Sequence, residues 1–109
     1  MDFAEMMKQA QLVQKKLHEA QEKLQATVVD GSAGGGLVRL ELKGTHDMLS
    51  LSIDPGLLAD GDAEVLADLV RAAHADARRK LEDINSKVMQ EVGGEIGVNG
   101  GLPNMPRFI

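Results

Sequence analysis

Phe3, Met6, Ala10, Val13, Leu17, Ala20 and Leu24 recur at intervals of 3, 4, 3, 4, 3 and 4 residues. This unbroken cadence constrains the fold more than any other feature of the chain. It sets seven apolar side chains along one stripe of a helix, the pattern of a helix that packs lengthwise on another. Gln, Lys, Glu and His fill the positions between, as on a solvated face, and Asp2 and Glu5 place negative charge where a helix starts. The spacing predicts a helix from about Phe3 to about Gln25. Its partner is visible downstream: Leu66, Val70, Ala73, Ala77, Leu81, Ile84 and Val88 are spaced 4, 3, 4, 4, 3 and 4. They predict a second helix from about Ala63 to about Gln90.

The residues between the helices read as strands. Thr27-Val28-Val29-Asp30-Gly31-Ser32-Ala33 is β-branched at its start, and Gly34-Gly35-Gly36 supplies a turn. Val38, Leu40 and Leu42 alternate with Arg39, Glu41 and Lys43. After a turn at Gly44-Thr45-His46-Asp47, Leu49, Leu51 and Ile53 alternate with Met48, Ser50 and Ser52. Short links make this an antiparallel meander with one face buried. Asp54-Pro55 ends it, Pro55 suits the start of a helical turn, and Asp60 or Asp62 can cap the second helix. The fold class is α+β: long helix, three-stranded antiparallel sheet, long helix. Because helices of this length outrun six-residue strands, a β-base carries a two-helix arm, with Met1 expected beside about Gln90. One domain is expected over residues 1–92, followed by a flexible tail over 93–109 that contains Pro103 and Pro106.

Only two of the 109 residues are aromatic, Phe3 and Phe108, although 43% are apolar. A thin aliphatic layer buries limited surface, so sharing a core with a second copy is favoured. The absence of Cys excludes disulfides and thiolate metal sites and fits a reducing cytoplasm. No secretory leader is recognisable, and no apolar run approaches the roughly 18 residues of a membrane span.

Little here suits catalysis. His18 and His74 lie on separate helices without a ligand partner, and His46 sits beside Asp47 in a polar turn. The glycines from Gly31 to Gly36 precede a strand and lack a Gly-Lys-Ser/Thr sequence, so they do not form a phosphate loop. They suit a tight hairpin or a close approach of two backbones. An enzyme, a cofactor and a small-molecule substrate are not expected.

Charge carries more information. The net charge is −5, yet residues 27–62 alone hold six acidic against two basic residues. Residues 77–90 reverse the sign through Arg78, Arg79, Lys80 and Lys87, and Lys8, Lys15 and Lys16 lie on the other helix. An acidic base with a basic arm can still bind a phosphate backbone locally. The plainer reading of such residues is a solvated helix face with partners four residues away, such as Asp76 with Lys80.

Met7-Lys8-Gln9-Ala10-Gln11, Ala33-Gly34-Gly35-Gly36-Leu37-Val38, Ile53-Asp54-Pro55 and Ala72-Ala73-His74-Ala75-Asp76-Ala77-Arg78-Arg79-Lys80 occur in this order, followed by Met89 and Gly93-Gly94. Together they resemble the YbaB/EbfC family of bacterial nucleoid-associated proteins over about residues 3–98. The resemblance implies a homodimer joined through its β-bases, with arms held like tweezers. It also implies binding of double-stranded DNA in the cytoplasm, at the nucleoid, with a role in nucleoid organisation or gene regulation. By charge and placement, Lys8, Lys15, Lys16, Arg78, Arg79, Lys80 and Lys87 are the candidate DNA-binding residues. A competing reading is a chaperone-like or protein-interaction module using Met-rich arm tips, where Met1, Met6, Met7, Val88 and Met89 gather.

Overall fold

The computed structural model describes residues 2–95. The first stripe becomes α1 (Phe3–Ala26), which opens with the Asp2 carboxylate accepting from the Glu5 amide at 2.8 Å. It ends where Thr27 turns to extended backbone and its hydroxyl donates to the Lys23 carbonyl. Three antiparallel strands follow in spatial order β1 (Val28–Ala33), β2 (Val38–Lys43) and β3 (Met48–Ile53). Gly34, Gly35 and Gly36 all take positive φ and reverse the chain within three residues. A short helix, α2 (Pro55–Asp60), begins at Pro55 under an Asp54 cap and stops at left-handed Gly61. Asp62 then caps the long α3 (Ala63–Glu95) through the Val65 amide.

α3 runs past the expected end at Gln90 and straight through Gly93-Gly94 to Glu95. Two glycines cost a helix about 1 kcal/mol each relative to alanine. What holds this end is Val92, which is buried in a small core with Ala20 and Val88. The expected tail beyond Glu95 lies outside the described residues.

The main core lies between α3 and the sheet. Val38, Leu40 and Leu42 of β2 are fully enclosed, with Val29 of β1 beside them and Ala73, Ala77 and Leu81 of α3 above. Gly31 makes this close seam possible. A Cβ there would lie 2.1 Å from the Ala73 carbonyl oxygen and 2.7 Å from the Ala77 Cβ. The glycine run thus holds both the hairpin and the close approach, the first at Gly34–Gly36 and the second at Gly31.

β3 departs from the expected half-buried strand. Opposite Val38 and Leu40 stand Ile53 and Leu51, so these share the α3-side face of the sheet, yet Leu51 is 44% exposed. Leu49, the extra residue at a bulge opposite Glu41 and Leu42, and Met48 are exposed too. The reason is dimensional. One helix is about 10 Å across and strands sit about 4.8 Å apart, so α3 roofs two strands, and those are β1 and β2.

The molecule measures 70 × 27 × 16 Å with a radius of gyration of 20.0 Å. A compact chain of this length would be near 13 Å, so the arm dominates the shape. The pairing of the arm also differs from expectation. Leu24 packs near Ile84, and Ala20 near Val88 and Val92, which sets Gln90 about level with Ala20 in the second half of α1; Met1, its expected neighbour, lies outside the described residues. α3 spends its first half crossing the sheet, whereas α1 joins β1 through Thr27 alone. Only the last part of α3 remains to pair with α1, and every residue from Phe3 to Leu12 is exposed.

Candidate nucleic-acid interface

The seven sequence-predicted basic residues do not form one patch. Arg78, Arg79 and Lys80 follow directly on Ala77, which packs on the sheet, so they belong to the base and not to the arm. Lys80 donates to the Asp30 carbonyl at 2.7 Å and lies 3.5 Å from the Asp76 carboxylate. Arg79 holds the other oxygen of Asp76 at 2.8 Å and reaches towards Asp83 at 4.0 Å. Arg78 lies 3.7 Å from Glu82.

Asp76 is the centre of this group, a structural role its sequence pairing with Lys80 only partly signals. Its carboxylate also accepts from the Ser32 amide at 3.1 Å. That hydrogen bond, with Arg79 and Lys80 beside it, holds the carboxyl below its ordinary carboxylate range. Asp30 and Ser32 are two residues apart on edge strand β1 and turn backbone groups the same way. Lys80 takes the carbonyl and Asp76 the amide, so α3 closes this edge against further strand pairing.

On the arm the lysines behave differently. Lys8, Lys15 and Lys87 are exposed and make no ion pair among the described residues. Lys16 is half-buried where α1 meets α3 and shares a cleft with Glu91 and Val92. Lys23 joins that cleft from α1. It was absent from the sequence-based set, although its spacing of eight residues from Lys15 and seven from Lys16 places it on their side of the helix. From Lys8 to Arg79 the basic groups span about 30 Å of helix length, counted at 1.5 Å per residue. The geometry is a sparse line of cations along an arm, with a paired cluster at its root.

Nothing else in the described residues has the makings of a reactive centre. No group of three or more His, Asp or Glu is placed to hold a metal ion. No helix among them is long and apolar enough to cross a membrane. His18 contacts Glu22 at 2.6 Å on an exposed surface, and His46 adopts a φ of 73° in the β2–β3 turn.

The model of the YbaB/EbfC DNA-binding family matches residues 1–96. A nucleoid-associated protein of Phenylobacterium zucineum is 45% identical over 107 residues, covering 98% of this chain and 97% of that one. Another, from Caulobacter vibrioides, is 45% identical over 105 residues, covering 95% and 96%. Among solved structures, an uncharacterized protein from Helicobacter pylori superposes with a TM-score of 0.70 at 24% identity, covering 84% of this chain and 96% of that chain. That similarity concerns the fold.

Proposed function

The chain belongs to the YbaB/EbfC DNA-binding family, and from that premise we propose that it is a nucleoid-associated protein of the cytoplasm that clamps double-stranded DNA as a homodimer. The observation that carries this reading is the division of the basic residues. Those at the base are occupied by carboxylates, whereas Lys8, Lys15 and Lys87 project unpaired from the arm among the described residues. A cation without a protein partner is available to neutralise a phosphate and release its counterion. Lys16 and Lys23 add charge along the same line. Arg78, Arg79 and Lys80 contribute less, because a phosphate must compete with Glu82 and Asp76 for them.

The unequal sheet edges support dimerisation through the β-bases. β1 is closed by Asp76 and Lys80, while β3 carries Met48, Leu49 and Leu51 exposed. Apolar side chains beside an open strand edge are a surface that proteins ordinarily cover, and a second copy supplies the matching one. Two bases joined there would carry two arms to grip a duplex. A role in nucleoid organisation or gene regulation follows from that grip.

The test is fluorescence anisotropy with a duplex of about 40 base pairs across salt concentrations. Affinity should fall log-linearly with salt, with a slope of about 0.9 for each phosphate neutralised. Absence of binding at low salt would overturn the reading. Phe3, Met6 and Met7, all exposed on α1, favour the alternative of a chaperone-like tip that grips apolar segments of other proteins. That alternative would be preferred if the arm captured an unfolded client and ignored DNA.

A further inference from the structure

The first ten residues of α1, Phe3 to Leu12, stand clear of every other described element. They form a single helix about 15 Å long at the end of the arm. A lone α-helix is about 10–12 Å across, and the major groove of B-DNA is about 12 Å wide. Where α1 and α3 run together, two axes about 8–10 Å apart make a body about 20 Å wide, too broad for that groove. The free segment is thus the part of the arm that can enter it.

We infer that this segment docks in the major groove, presenting Lys8, Gln11 and Leu12 to the DNA, with Lys15 just beyond it on the same face. These positions follow i, i+3, i+4 and i+7 and share one face, on the opposite side of α1 from the packing stripe. All four are exposed, and Leu12, 47% exposed, is an apolar residue placed among polar ones. Its methyl groups suit the thymine C5-methyl, and the Gln11 amide has the paired donor and acceptor that read adenine. Lys8 and Lys15 stand one turn either side of Leu12 and reach the phosphates at the groove's rims. Glu5 and Glu19 bracket the face, which confines the contact to about two helical turns.

This inference rests on the DNA-binding reading, and the test separates the two. Full-length protein and its Leu12→Ala variant are titrated with two duplexes of one A·T-rich sequence, the second with uracil in place of thymine. Loss of the C5-methyl should weaken the unaltered protein about fourfold per methyl covered, equivalent to about 0.8 kcal/mol. Leu12→Ala should bind both duplexes alike with an unchanged salt slope, and circular dichroism should show its helices intact, since alanine favours helix. Equal affinity of the unaltered protein for both duplexes would overturn the groove assignment and leave phosphate binding standing. No binding to either at low salt would overturn both.

Discussion

Replacing Gly31 with alanine tests the seam on which the whole arm is mounted. The added Cβ would sit 2.1 Å from the Ala73 carbonyl oxygen, 2.7 Å from the Ala77 Cβ and 2.9 Å from the Ala77 nitrogen. These are backbone or Cβ atoms of a helix, so no rotamer change relieves them. A carbon–oxygen contact needs about 3.3 Å, and α3 must lift from the sheet by roughly 1 Å. A gap of that size forfeits about a quarter to a half of the dispersion well of each contact it opens. The contacts at stake include Ala73 and Ala77, both fully buried, and the enclosed Val38, Leu40 and Leu42 beneath. Overpacking alone costs about 1–3 kcal/mol. With the loosened core added, we expect a loss of about 3 kcal/mol or more. Urea unfolding followed by circular dichroism, at one fixed chain concentration because the proposed dimerisation would couple to stability, measures it directly. A loss below about 1 kcal/mol, with the unfolding slope unchanged, would refute the claim that this glycine sets the helix-to-sheet distance.

Asp76→Asn should change the acid limb of stability. The folded pKa of Asp76 is lowered, so its contribution is present above the unfolded value near 3.8 and is lost as pH falls through the folded one. The unaltered protein should therefore lose more stability than the variant between pH 5 and pH 2, read from urea midpoints, and parallel curves would contradict the role given to the Ser32 amide. If two copies join through β3 as proposed, Leu51→Asp should leave a monomer in sedimentation at micromolar concentration with helicity retained, because a carboxylate buried there would lack a partner. A dimer that persists would move the interface elsewhere. Changing Lys8, Lys15 and Lys87 together to glutamine should lower the salt slope of DNA binding by about 2.7 for each arm that grips the duplex. The same change at Arg78 and Arg79 should lower it by less than its two charges imply, and equal per-residue effects would contradict the distinction between free arm lysines and paired base arginines.

Much of this molecule was legible in the chain because it depends on local periodicity. The a/d cadence from Phe3 to Leu24 and the second stripe from Leu66 to Val88 each describe one face of one element, and helices formed over both. The alternation of Val38, Leu40 and Leu42 likewise named the strand face that became the core. Which basic residues act together was less legible, since charge alone cannot distinguish Lys80, tied to the Asp30 carbonyl, from Lys87, which extends from the arm. The sequence by itself determined the helices, the meander, the glycine turn and the acidic base. Tertiary structure decided that, among the described residues, α3 covers two strands and leaves β3 bare, Val92 carries the helix through Gly93-Gly94, and α1 projects alone from Phe3 to Leu12. Periodicity specifies which face of an element is buried but not where along its partner it begins. That offset is set by what each helix must cross first: for α3 it is the sheet, and for α1 it is one residue of connection.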